Sequence, residues 1–224
     1  MSPPPGRPKE GALPPGGKAR SARGVDVRRI GLFGGTFDPP QLAHLALARA
    51  ARDALQLDEL RWIPTGNPWQ KTRAITDAAH REAMVALTIA DEPRFVLERC
   101  ELQRSGPSVT LDTVRELQQR DGPAQWVWVM GRDQYVNLHT WRGWRELLQR
   151  VTLAVAERPG VTAAVDADVA AHPHTMVPLP PLPISATDIR ARVARGESIA
   201  GLVTDAVARY IARHHLYARS ASGP

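Results

Sequence analysis

The sequence predicts an α/β domain: a doubly wound, mainly parallel sheet with helices on both faces and a small C-terminal helical portion. Three observations predict it. Apolar runs of strand length alternate with amphipathic stretches of helix length. The apolar runs are nearly continuous, as strands covered on both faces are. Several of them stop at Gly or Pro, at Gly34-Gly35, Pro64 and Gly131. Such sheets bind ligands beyond the carboxyl ends of their strands, where the strand order reverses.

The elements follow in order. Residues 27–33 form an apolar strand that ends at Gly34-Gly35. Residues 42–55 are rich in Ala and Leu, with Arg49, Arg52, Asp53 and Gln56 on one face, and read as an amphipathic helix. Residues 60–63 are the second strand. Residues 77–90 are a helix capped by Asp77. Residues 94–97 are the third strand and 111–119 a helix. Residues 126–130 and 151–156 are two further apolar strands. A short helix near 163–170 and a strand near 174–178 precede the Pro-rich stretch 178–183. Helices over 187–194 and 204–214 finish the domain.

Composition narrows the function classes. The chain has 224 residues, 43% of them hydrophobic, enough for one domain with a sizeable core. Its formal net charge is +6. Five basic residues (Arg7, Lys9, Lys18, Arg20, Arg23) and one acidic residue (Glu10) lie within residues 1–24. About +2 therefore remains for the rest, too little for a nucleic-acid footprint. Residues 1–24 are rich in Pro, Gly and Arg and are expected to be a disordered extension. The domain is placed at 25–217 and a frayed tail at 218–224. The single cysteine, Cys100, excludes an internal disulfide and any multi-cysteine metal site. It reads as a small core residue. No apolar run reaches the length of a membrane span and no signal peptide is read, so the expected compartment is the cytoplasm.

Two stretches carry chemistry. The first is Gly34-Gly35-Thr36-Phe37-Asp38-Pro39-Pro40-Gln41-Leu42-Ala43-His44, between the first strand and the first helix. Glycines at a strand end admit close approach of a ligand, and a helix start offers unpaired N–H groups to phosphate. Taken alone, the glycines are a tight turn and His44 a satisfied histidine at the edge of the helix's apolar face. The glycine spacing is neither that of a Walker loop nor that of the dinucleotide fingerprint. The second stretch is Ile184-Ser185-Ala186-Thr187-Asp188-Ile189-Arg190. Ser185 and Thr187 suit a helix cap. Arg190, one turn further on, suits a polyphosphate held at the same helix start, because its planar fork makes two parallel bonds to phosphate oxygens. By itself it is a solvated helix arginine.

Together these stretches resemble the nucleotidyltransferases that share a His-x-Gly-His signature and an Ile-Ser-Ser-Thr-x-Ile-Arg signature. Within that superfamily the chain is most similar to the bacterial nicotinate-nucleotide adenylyltransferases, over about residues 28–217. Three more stretches support the resemblance: 63–71, 106–113, and Gly131-Arg132-Asp133 followed by Asn137-Leu138-His139-Thr140-Trp141. The chain departs from the pattern at Gln41, where the family has His; at Ala43, usually Gly; and at Val109, where relatives have an aromatic. Gln41 can donate a hydrogen bond to a phosphate but carries no charge.

The resemblance implies a Rossmann-like fold and transfer of the adenylyl group of ATP to nicotinate mononucleotide. It implies His44, Gln41 and Arg190 as the catalytic set. Gly34, Gly35, Thr36, Phe37, Gly131, Asp133, Ile184, Ser185 and Thr187 would bind ATP. Lys71, Thr110, Trp141 and Arg158 would bind the acceptor. Mg2+ would arrive on the ATP phosphates, with no dedicated protein metal site. No specific nucleic-acid partner and no membrane are expected, and a homo-oligomer is left open. Two other readings stand beside this one. The first is a sister enzyme using nicotinamide mononucleotide, phosphopantetheine or a polyol phosphate. The second is a nucleotide-binding homologue with weakened catalysis. A nucleic-acid-binding protein rests on the basic extension alone.

Overall fold

The computed structural model describes residues 27–67, 75–156 and 163–218. In it the apolar runs become the strands of one parallel sheet: β1 (Arg29–Gly35), β2 (Glu59–Pro64), β3 (Phe95–Leu97), β4 (Gln125–Gly131), β5 (Thr152–Ala156) and β6 (His174–Val177). Their order is β3-β2-β1-β4-β5-β6, and every pairing is parallel. The chain steps outward from β1 to β3 and then returns to lay β4 on the other side of β1. The strand order therefore reverses between β1 and β4, and a crevice opens at their carboxyl ends.

The helices are α1 (Leu42–Ala54), α2 (Ala78–Ile89), α3 (Cys100–Gln103), α4 (Thr110–Asp121), α5 (Arg132–Val136), α6 (Trp144–Arg150), α7 (Ala167–Ala170), α8 (Ala186–Ala194) and α9 (Asp205–Arg213). Asp77 caps α2 by accepting from the Ala79 N–H at 2.8 Å. Thr204 caps α9, accepting from Val207 at 3.3 Å. Each such cap contributes about 1 kcal/mol.

Successive strand residues point to opposite faces, and the core divides accordingly. Ile30, Leu32, Trp126, Trp128, Met130, Leu153 and Val155 pack on one face against Leu111, Val114 and Leu117 of α4 and Leu147 and Leu148 of α6. Phe33, Leu60, Trp62, Val127, Val129 and Ala154 pack on the other against Leu45, Ala48 and Ala51 of α1 and Val85 and Ile89 of α2. A third cluster joins Met84 of α2 to Ile184, Ile189, Ile199, Val207 and Ile211, and so docks the C-terminal helices. Truncating a fully buried leucine such as Leu32 to Ala costs about 2–5 kcal/mol. Cys100 is buried in the first cluster, and burial pushes its thiol up to about 12, which makes it inert at neutral pH.

A partly buried ion network lies at the C-terminal end of α4. Arg61 of β2, 6% exposed, donates to Glu59 at 2.5 Å and also to Asp121. Arg120 donates to Glu98 at 2.5 Å and, through its Nε, to Asp121 at 3.0 Å. Arg120 is about half exposed and Arg61 also lies near Glu98 and Asp121, so losing one partner costs less than the ~3–5 kcal/mol of a fully buried pair.

The structure corrects several expectations. The first strand, expected over 27–33, runs from Arg29 through Gly34 and Gly35, which pair with Ile63 and Pro64. The short helix near 163–170 covers only Ala167–Ala170. Residues 132–150, for which no helix is expected from the sequence, form α5, a 3-10 turn at Leu138–Thr140, and α6. Cys100–Gln103 is likewise helical. The expected extension 1–24 lies outside the described residues.

Candidate active site

The carboxyl ends of β1 and β4 open onto a cavity of about 760 Å³, within the roughly 300–1,000 Å³ of small-molecule sites. Gly34 and Gly35 line it, and packing explains why neither has a side chain. A Cβ on Gly34 would come within 2.9 Å of the Trp128 ring, and one on Gly35 within 2.9 Å of the Phe37 ring. These glycines make room first for aromatic rings. Phe37 itself has φ +49° and is 3% exposed. A bulky residue enters that left-handed region only when its surroundings hold it there.

His44 is the third residue of α1 and lies on the cavity wall with Thr36, Phe37 and Gln41. The Gln41 N–H donates to its Nδ1 at 3.2 Å. That bond leaves Nδ1 as the acceptor, so the ring proton sits on Nε2. Phe37 stands edge-on to the imidazole at 5.2 Å and 88°. Phe33 does the same at 6.0 Å and 64°. The Gln41 amide Nε2 lies 3.5 Å from His44 Nε2, and its Oε1 is buried without a hydrogen-bond partner in the structure.

Arg190 reaches the same cavity from α8. Its Nη1 donates to the Asp38 carbonyl at 2.7 Å, across 152 positions of sequence. Its Nη2 donates to the Thr187 hydroxyl at 3.2 Å. Ser185 alone is the N-cap, accepting from the Asp188 N–H at 3.0 Å. Thr187 is therefore not a cap: it lies inside the helix and receives the guanidinium. Ile184, Ser185 and Thr187 all line the cavity.

The opposite wall lies over the other face of the sheet. Thr110 begins α4, whose N-cap Val109 offers no side-chain acceptor. Trp141 stands edge-on to Trp128 at 6.2 Å and 90°. Gly143, at φ +71°, has its would-be Cβ 2.4 Å from Leu111, which brings the 141–143 segment close against the start of α4. At the end of β4 a Cβ on Gly131 would meet the Asp133 carboxylate at 2.8 Å. Gly131, Asp133, Thr110 and Trp141 line the same cavity as His44 and Arg190. Lys71 and Arg158 lie outside the described residues.

Sequence reasoning missed several residues here. Arg81 of α2 is 2% exposed, and its guanidinium donates to the carbonyls of Thr76 (2.9 Å), Thr36 (3.0 Å) and Thr65 (2.7 Å). It thus ties the loops after β1 and β2 together. The signal was present: an arginine at the apolar spacing of Met84, Val85 and Thr88. The Ser108 hydroxyl accepts from the N–H groups of Gly66 (3.1 Å) and Asn67 (3.2 Å), joining the β2 loop to the approach to α4. Glu101, 5% exposed and on the cavity wall, accepts from the Thr113 hydroxyl at 2.8 Å. Burial holds its carboxyl above the usual range, against the hydrogen bonds that favour the anion. Arg142 lines the cavity beside Trp141.

The profile of the cytidylyltransferase-like family matches residues 32–192. A protein of Methylibium petroleiphilum named "probable nicotinate-nucleotide adenylyltransferase" is 50% identical over 202 residues, covering 88% of this chain and 95% of its own length. A protein of the same name from Bordetella petrii is also 50% identical, over 85% of this chain and all of its own. Among solved structures, the Plasmodium falciparum nicotinic acid mononucleotide adenylyltransferase complexed with NaAD superposes with a TM-score of 0.72. It is 18% identical, covering 85% of this chain and 97% of that one, and shares the Rossmann-like fold. A match over most of the chain at this identity places it: the chain belongs to the nicotinate-nucleotide adenylyltransferases of the cytidylyltransferase-like family.

Proposed function

We infer that the chain transfers the adenylyl group of ATP to nicotinate mononucleotide, giving deamido-NAD and pyrophosphate, in NAD biosynthesis in the cytoplasm. The observation that carries the reading is the meeting of His44 and Arg190 on one cavity at the strand-order switch, with Arg190 anchored on the Asp38 carbonyl. Among the described residues no helix is long and apolar enough to cross a membrane.

The reaction is a direct displacement. An acceptor phosphate oxygen attacks the α-phosphorus of ATP, that O–P bond forms, and the bond to the β-phosphate bridging oxygen breaks with release of pyrophosphate. No protein nucleophile is required, so the protein positions the reactants and stabilises charge. His44 donates its Nε2–H to the phosphates. Gln41 supports the α-phosphate as a neutral donor. Arg190, Ser185 and Thr187 take the β- and γ-phosphates. The glycine-rich segment Gly34–Phe37 and Gly131, Asp133 and Ile184 hold the nucleotide. Thr110 and Trp141 face the acceptor, with Lys71 and Arg158 as further contacts. Arg142 adds positive charge at that end.

Magnesium would arrive with ATP, held by its phosphates. Among the described residues no group of three or more His, Cys, Asp or Glu is placed to hold a metal ion. When bound, magnesium neutralises charge on the leaving pyrophosphate.

The test is pyrophosphate release with ATP or CTP against nicotinate mononucleotide, nicotinamide mononucleotide and phosphopantetheine. The reading expects ATP with nicotinate mononucleotide to give the highest kcat/KM. Preference for CTP, or for another acceptor, would replace it with a sister activity. Nucleotide binding without turnover on any acceptor would identify a binding homologue.

A further inference from the structure

The loop that anchors Arg190 is held from a second side. Asp38 is 2% exposed, and a buried carboxylate needs donors to remain charged. One donor comes from the far end of the described chain: the Tyr217 hydroxyl donates to Asp38 Oδ1 at 2.7 Å, across 179 positions. On the same residue, the Asp38 carbonyl accepts Arg190. We propose that Tyr217 is a positioning residue for the triphosphate grip, fixing Asp38 so that its carbonyl presents the Arg190 guanidinium to the polyphosphate of ATP.

The delivery of Tyr217 to that point is built into the C-terminal portion. α9 docks on α2 through Val207 and Ile211, and the Tyr210 hydroxyl lies 2.9 Å from His80 Nδ1. The chain then folds back through two left-handed residues, His215 at φ +50° and Tyr217 at φ +64°. Non-glycine residues hold such angles where their surroundings fix them. Tyr217 packs against the cluster of Met84, Ile184, Ile189 and Ile211, against which Leu42 and Ala43 of the first turn of α1 also pack. Burial holds the phenol well above its ordinary range, against a hydrogen bond with the Thr76 side chain, so it keeps its proton and acts as a donor.

The proposal rests on the adenylyl-transfer reading for its kinetic readout, and its binding readout stands apart from it. Tyr217→Phe removes the hydroxyl and keeps the ring. The Kd of α,β-methylene ATP, measured by calorimetry, should rise about tenfold, as for one lost charge-assisted hydrogen bond. The KM for ATP should rise with it. The KM for nicotinate mononucleotide should stay within about twofold and thermal melting within a few degrees. A chain ended after Leu216 should weaken the analogue at least as much. An unchanged Kd in both variants overturns the proposal. So does a fall in kcat alone that tracks a loss of folded protein, which is the mark of a purely structural contact. If the wild-type chain released no pyrophosphate with any acceptor, the activity reading would fail, and the analogue Kd would still decide the role of Tyr217.

Discussion

Replacing His44 by Ala separates chemistry from folding, because the structure sizes both effects. The ring stands edge-on to Phe33 and Phe37, and each such contact is worth about 0.5–1.5 kcal/mol beyond its area. The Gln41 N–H loses its acceptor at the start of α1, a further ~1 kcal/mol. The variant should therefore lose about 2–4 kcal/mol of stability. A domain with a typical margin of about 5–15 kcal/mol keeps at least ~1 kcal/mol after that loss, so at least roughly 80% stays folded at 25 °C. Unfolding thus lowers the rate by roughly a fifth at most, far below the ~10²-fold loss expected of the chemistry. Loss of an Nε2–H donor at developing charge costs about 2.7–4 kcal/mol, or ~10²–10³-fold in kcat. The assay is pyrophosphate release at saturating ATP and nicotinate mononucleotide, with circular dichroism confirming the folded fraction. A transition-state contact lowers kcat and kcat/KM together. If kcat stays within about threefold of wild type, His44 is a packing residue and the mechanism above is wrong.

Two further outcomes follow from the same geometry. Gln41→His should raise kcat by about tenfold, because a cationic donor replaces a neutral amide beside His44; a slower variant would show that the first turn of α1 is adapted to the amide. Acid should weaken the fold through the network at the end of α4. Burial pushes Glu98 and Asp121 up, but the hydrogen bonds and charges of Arg120 and Arg61 outweigh it and hold both below their ordinary values of 4.5 and 3.8. Groups with depressed folded pKa values stabilise above their unfolded pKa, and that contribution disappears as pH falls through the folded value. Thermal melting of wild type should therefore drop from about pH 4.5 downward, and the gap between wild type and Arg120→Gln should narrow over the same range. A gap that stays constant to pH 3 would remove the network from the acid response.

Much of the fold and part of the site could be read from the chain, and the division has a physical basis. The central strands are readable because burial on both faces makes them continuous apolar runs, as in β4 and β5; β6, an edge strand with its two middle residues exposed, lacks that signal. The 132–150 region was not readable, because α5 and α6 have five and seven residues, too few turns for a 3.6-residue period to appear. The glycines at 34 and 35 line the cavity, but their lack of a side chain is required by Trp128 and Phe37, which no local pattern reveals. Arg190 was readable because capping by Ser185 left it unexplained. Arg81 could have been found by asking why a guanidinium sits on an apolar stripe, where only a cluster of carbonyls would hold it. Tyr217 offered nothing to such a question, since a tyrosine near a chain end is ordinary. Its contact exists only after α9 docks on α2 and the backbone turns back at His215. Side chains that meet ligands keep a chemical signature in their own neighbourhood. Those that hold a neighbourhood together depend on closure of the chain: Tyr217 meets Asp38 across 179 positions, and nothing local to residue 217 signals that contact.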